Sequence, residues 1–275
     1  MPHPALLLFR VLTYAEPLLT VFALGAFLRG RREVDMPSMR DYLVVRTIWA
    51  LMMITSLLPL SPLSHVLTPD EVYSCYFYAY WLGAFLLTIL VIRVAMASLD
   101  RLLWSFPGLL ALRRIGYRWF MGVGFLLITV VLYSLLSGLR SAQWSHLGGA
   151  FGLVELLAVA SVLMVGIRAG LSPRSRMFGI LAGLGMEPAA EVLIASFARH
   201  HMWTWSSLIL QIVTDSTLIL WIVYLLLPDR GGPLNEPSEA VLRWDQVARW
   251  ATRERPGAKE DASSRTHQRH RLNAA

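Results

Sequence analysis

Seven apolar stretches, each close to the roughly 20 residues that a helix needs to cross a hydrocarbon core, constrain this chain more than any motif does. They run Leu6–Leu28, Asp41–Leu60, Val72–Ala95, Trp119–Leu139, Gly148–Ile167, Phe178–Phe197 and Trp205–Leu227. With 56% of its 275 residues hydrophobic, the chain has more apolar surface than one soluble core of that length buries, and the excess must face lipid. The expected fold is all-α, a seven-transmembrane-helix bundle over residues 1–230. A helix-bearing tail (231–252) and a disordered basic segment (253–275) follow. A cleavable signal peptide is rejected for the first stretch, because Arg10 and Glu16 interrupt it and the basic cluster follows it instead of preceding it.

Arginine placement sets the orientation, since cytoplasmic loops retain basic residues. Eleven arginines fall in the loops after the first, third and fifth stretches, Arg93 lies just inside the end of the third, and only Arg140 and Arg199 fall in the alternate loops. The N-terminus is therefore expected outside and the C-terminus inside, in a bacterial cytoplasmic membrane. Tyr and Trp agree, because they gather at the ends of the stretches: Tyr73, Tyr76, Tyr78, Tyr80 and Trp81 on one side, Tyr42 and Trp119 on the other. That arrangement reads first as an anchoring belt, with an aromatic ligand cage as the sharper alternative.

Several functions are excluded or disfavoured by residue type. Lys259 in the tail is the only lysine, so no span offers an amine for a Schiff base. The net charge of +7 is broken up between apolar stretches, and no continuous basic stripe tracks a phosphate backbone, so nucleic acid is not an expected partner. Cys75, the single cysteine, is read as a small buried apolar residue. No histidine lies within a span, which disfavours haem or multi-His zinc chemistry inside the membrane. A metal site from His65, His146, His200 and His201 on the outer side is a weaker reading than solvated loop histidines. No catalytic set and no cofactor site are legible.

The run Tyr76-Phe77-Tyr78-Ala79-Tyr80-Trp81, the Phe178-Gly179-Ile180 opening with Gly183 and Gly185, and the ending Leu220-Trp221-Ile222-Val223-Tyr224-Leu225-Leu226-Leu227-Pro228-Asp229 resemble a bacterial family of seven-helix hypothetical integral membrane proteins. The likeness extends over roughly residues 1–230. It implies the fold and carries no activity, substrate or site residue.

Ionisable residues within hydrocarbon cost roughly 2.5–3.5 kcal/mol each on insertion scales, and so need a reason to be there. Glu16, Glu155, Glu187 and Asp215 fall near the middle of their stretches. Glu191 lies one turn from Glu187 on the same face, and Pro188 should kink the helix between them. Ser207, Gln211, Thr214 and Asp215 form a stripe at helical spacing. Glu187, Glu191, Gln211, Thr214 and Asp215 are thus expected to wall a polar cleft between the sixth and seventh helices, open to the outside, with Arg199, His200 and His201 at its rim. Arg10, Glu16, Arg46 and Glu155 are expected to pair charges within the membrane. The bland alternative is that all these groups only fix helix packing.

Two GxxxG spacings, Gly148/Gly152 and Gly179/Gly183, permit close helix approach. They serve either internal packing or a homo-oligomer. Ser98–Arg118 is expected as short amphipathic pieces around a Phe106–Pro107–Gly108 break. A tail helix from about Ser238 to Thr252 should gather Val241, Trp244, Val247, Ala248 and Ala251 on one face, where a cytoplasmic protein partner could dock besides the lipid bilayer. The expected function is a membrane-embedded sensing or interaction module with an outward-facing polar cleft. The alternative is a small transporter or proton-coupled channel using the carboxylates, and an intramembrane enzyme ranks third.

Overall fold

The computed structural model describes residues 3–30, 36–57, 69–136, 144–197, 203–227 and 239–253. Among these it has eight α-helices: α1 (His3–Arg29), α2 (Pro37–Leu57), α3 (Pro69–Trp104), α4 (Leu110–Leu136), α5 (Trp144–Arg168), α6 (Arg176–Phe197), α7 (Trp203–Leu226) and α8 (Glu239–Arg253). Five described stretches are long and apolar enough to cross a membrane, in α1, α3, α5, α6 and α7. α2 carries Arg40, Asp41 and Arg46, α4 opens with Arg113, Arg114 and Arg118, and neither is among the five.

Six helices close a ring. α1 packs against α2 and α7, α2 against α3, α3 against α5, α5 against α6, and α6 against α7. α4 stands outside the ring, against α3 and α5, and turns Met121, Phe125 and Tyr133 outward. A shell of Leu, Val, Ile and Ala side chains with Trp221, fully buried, at its heart fills the ring.

Glycines let α7 seat its aromatic residues on α6. A Cβ at Gly179 would run into Tyr224 and one at Gly183 into Trp221, so this GxxxG spacing serves packing within the chain. The other spacing works differently. α5 meets α6 through Gly149, against Ala195, and through Gly152, against Glu191 and Pro188, whereas Gly148 has nothing within 4 Å of where a Cβ would stand.

The turn between α5 and α6 is fixed by Gly170, whose φ of 86° suits a residue without Cβ. Leu171 N–H bonds Gly166 O at 2.8 Å and Gly170 N–H bonds Ile167 O at 3.1 Å, a Schellman cap. Ser175 then caps α6 by accepting from Phe178 N–H. From α6, Arg176 donates to Leu227 O at the end of α7, and Tyr224 donates back to Pro173 O.

The expected short pieces over Ser98–Arg118 are replaced by regular helix on either side of one break. α3 runs on to Trp104, a 3₁₀ turn occupies Pro107–Leu109, and α4 starts at Leu110. Asp100 and Arg113 tie the two helices together across that break, Nε to Oδ1 at 2.8 Å. At 36 residues, α3 is about 54 Å long at 1.5 Å per residue and projects beyond a core of roughly 30 Å.

α8 divides its apolar residues between two sides. Val241 and Ala248 pack on Leu103, Phe106, Leu109 and Ala169. Between them Asp245 is buried, accepting from Gly108 N–H at 2.7 Å and pairing with Arg249. Trp244 and Val247, expected on the same face, point to the surface instead. Burial of Asp245 rotates the docked face away from them. Ser238 and residues 254–275 lie outside the described residues.

Candidate functional site

Every helix of the ring sends a polar side chain to its interior, and the arrangement centres on Arg46 of α2. Its side chain is 3% exposed. Tyr42, Arg46 and Trp49 share one face of α2 at i, i+4 and i+7. Arg46 grips Glu187 of α6 with both arms of its fork, Nη1 to Oε2 at 2.8 Å and Nη2 to Oε1 at 3.1 Å. Nη1 also donates to the Tyr42 hydroxyl at 2.7 Å, and Nη2 reaches Glu16 of α1 at 3.5 Å. A planar guanidinium held this way is fixed in orientation as well as in charge.

Neighbours hold the partners in turn. Thr214 of α7 donates to Glu187 Oε1 at 3.1 Å. The Gln211 amide donates to Glu16 at 3.2 Å and to Asp215 at 3.4 Å. Asp215 is buried, and its second oxygen has no hydrogen-bond partner among the described residues. The Tyr42 ring meets Trp221 edge-on, 5.7 Å between centroids. Trp221 is anchored by donating to Ile180 O and by its seat on Gly183. Packing of α6 on α7 therefore positions the residue that positions Arg46.

On the other side of Arg46 lies a cavity of about 70 Å³ between α2, α3, α5 and α6. Arg46, Glu155, Glu187 and Glu191 supply its charged wall, while Trp49, Tyr80, Trp81 and Phe151 supply aromatic faces. Trp81 leans on Phe151 and Tyr80 on Trp49. Thr88 Oγ sits 2.5 Å from Glu155 Oε1 and 3.0 Å from Ala84 O. Thr88 thus places one hydroxyl between the Glu155 carboxyl and a backbone carbonyl. Arg46 Nε and Trp49 Nε1 have no hydrogen-bond partner among the described residues. The volume suits a few waters or one small ion.

The nine residues singled out in the sequence are thus redistributed. Glu187, Thr214, Gln211 and Asp215 join Glu16 and Arg46 in one network. Glu191 turns toward α5 and shares the cavity with Glu155. Among the described residues the cavity has no α7 residue in its lining, so it is distinct from the cleft between α6 and α7 that spacing suggested. Arg10 is exposed and outside the network. α6 continues as one helix through Pro188. Arg199, His200, His201 and His65 lie outside the described residues, and no cluster of metal-ligating side chains occurs among the described ones. Sequence reasoning missed Tyr42, Thr88 and Trp49 as parts of the site. The spacing of Tyr42 and Trp49 relative to Arg46 was the available signal for two of them; Thr88 left none.

Comparison of the chain with protein-family models, with curated proteins and with solved structures found no match.

Proposed function

We propose that the chain is a seven-span protein of a bacterial cytoplasmic membrane, N-terminus outside and C-terminus inside, that senses a small cation or protons through its interior cavity. The observation that carries this reading is the charge balance of the ring: among the described residues five carboxylates, Glu16, Glu155, Glu187, Glu191 and Asp215, gather about one guanidinium, that of Arg46. Two carboxylates, Glu16 and Glu187, meet that cation directly. Glu155 and Glu191 face a cavity instead, and a low-dielectric interior gives such groups a strong demand for a proton or a cation.

In the orientation set by the arginine bias, the cavity lies on the outer side of Arg46, toward Tyr80 and Trp81. Aromatic faces beside carboxylates favour a compact cation over an anion. A ligand that binds only the folded state raises its stability, so the purified protein should melt at a higher temperature with ammonium, methylammonium or an alkali cation. Glu191→Gln should abolish that response. A melting temperature indifferent to all of these cations and to pH would refute the reading.

The placing of Glu155 against a neutral hydroxyl, Thr88, instead of a cation favours a second reading, a small proton-coupled transporter. Reconstituted liposomes separate the two: a carrier moves protons or solute across the bilayer, and a sensor binds without flux.

A further inference from the structure

We propose that a groove at the opposite, arginine-rich end of the bundle binds the phosphate of an amphiphile, that is, the headgroup of an anionic phospholipid. The groove has a volume of about 1040 Å³ and lies where α2 begins beside the projecting ends of α3 and α4. It is separate from the cavity beside Arg46, and the inference does not rest on that reading.

Charge comes first. Arg93, Arg101 and Arg113 line the groove, and among the described residues Asp100 is the one acid in its lining. That acid is engaged: it accepts from Arg113 Nε at 2.8 Å, from Arg113 Nη2 at 3.2 Å and from the Tyr117 hydroxyl at 2.6 Å. Asp100 therefore serves to orient Arg113 and is not paired with the exposed Arg93. Arg93, Ala97, Arg101 and Trp104 follow one another at i, i+4, i+8 and i+11, along one face of α3.

The opposite wall offers donors. α2 starts here with Pro37, and a helix start presents the positive end of its dipole to an anion. Ser38, 6% exposed, is among the residues lining the groove, and its buried hydroxyl has no hydrogen-bond partner among the described residues. A buried hydroxyl left without a partner costs free energy, and an anionic oxygen would supply the acceptor.

The remaining lining says what carries the anion. Met36 and Met96 are apolar, and Trp104 is 78% exposed at the rim. Exposed Trp beside Arg is the chemistry of a membrane interface, where a headgroup phosphate and the first methylenes of its chains lie together. A soluble phosphate would use the arginines and leave the apolar lining idle.

The test uses the purified full-length protein, delipidated in detergent. Its melting temperature is followed while short-chain phosphatidylglycerol, short-chain phosphatidylcholine or inorganic phosphate is added. The expected result is stabilisation by phosphatidylglycerol, with half-effect concentrations raised about tenfold by Arg93→Gln or Arg101→Gln, the loss of one charge-assisted contact. Both arginines are exposed, so each variant should fold, which an unchanged melting temperature without lipid verifies. Ser38→Ala should weaken the response less. Equal stabilisation by inorganic phosphate, with the same sensitivity to the variants, would retain a phosphate site and overturn the amphiphile as its occupant. No stabilisation by phosphatidylglycerol, or stabilisation that all three variants leave untouched, would overturn the site.

Discussion

Two sides of one polar interior use the same residue type for opposite ends. Around Arg46, the carboxylates of Glu187 and Glu16 have a fixed cation within 3.5 Å, and Thr214 and Gln211 occupy further oxygens. One turn further along α6, Glu191 shares with Glu155 a cavity that Arg46 also lines, and among the described residues neither of these two carboxylates makes an ion pair. The first arrangement is closed by partners from four helices. The second has no such direct partner among the described residues. The contrast teaches that an intramembrane carboxylate is not by itself a functional signal; what decides is whether the fold supplies its counter-charge.

Removing the counter-charge should have the largest effect. Arg46→Ala strands two acidic groups in the interior and should destabilise the protein by about 3–5 kcal/mol. Arg46→Lys should recover only part of this, because an ammonium cannot reproduce the two-armed grip on Glu187. Thermal melting of both variants checks it, and an unchanged melting temperature for Arg46→Ala would erase the distinction between the two sides.

Next comes Glu187→Gln, which keeps the shape and removes one charge-assisted partner, for an expected loss of roughly 1.5–3 kcal/mol. Gly183→Ala acts at a distance. A methyl there meets the Trp221 indole, and overpacking of this kind costs about 1–3 kcal/mol. Because Trp221 abuts Tyr42, the variant should also loosen Arg46, which a double-mutant cycle with Tyr42→Phe would detect as coupling.

The smallest effects on stability belong to the open side. Glu155→Gln and Glu191→Gln should change stability by less than about 1 kcal/mol, since neither breaks an ion pair, yet each should remove the response to cations. Should either prove as damaging as Arg46→Ala, the cavity side would be structural too.

Much of the fold could be read from the chain, and much of the site could not. The long apolar stretches give α1, α3, α5, α6 and α7 directly, since length and hydropathy are local properties. Spacing also puts Tyr42, Arg46 and Trp49 on one face of α2. Yet Arg46 and Glu187 are 141 positions apart, and nothing local says that α2 and α6 face each other across a ring. Glu187 and Glu191 share a stripe on α6, but a stripe is wide enough for one residue to meet Arg46 and the other to meet α5. Aromatic residues near a helix end prefer a membrane interface in either case, so Tyr80 and Trp81 looked like a belt although they wall a cavity. In α5 the motif named Gly148 and Gly152, whereas the contact uses Gly149 and Gly152. A difference of one residue is 100° around the helix, which only the neighbouring helix decides.

Gly148 offers the most direct measurement of the central claim, that the cavity beside Glu155 and Glu191 is open to small cations from outside. It lines the cavity, and a Cβ there meets nothing within 4 Å. A cysteine can therefore replace it without displacing a neighbour, in a Cys75→Ser background. Intact cells or oriented vesicles would be treated with a membrane-impermeant, positively charged thiol reagent on one side at a time. Labelling is expected from the outside, slowed by small cations, with the slowing lost in Glu191→Gln. Absence of labelling in a protein shown to be folded, or labelling from the cytoplasmic side alone, would contradict it.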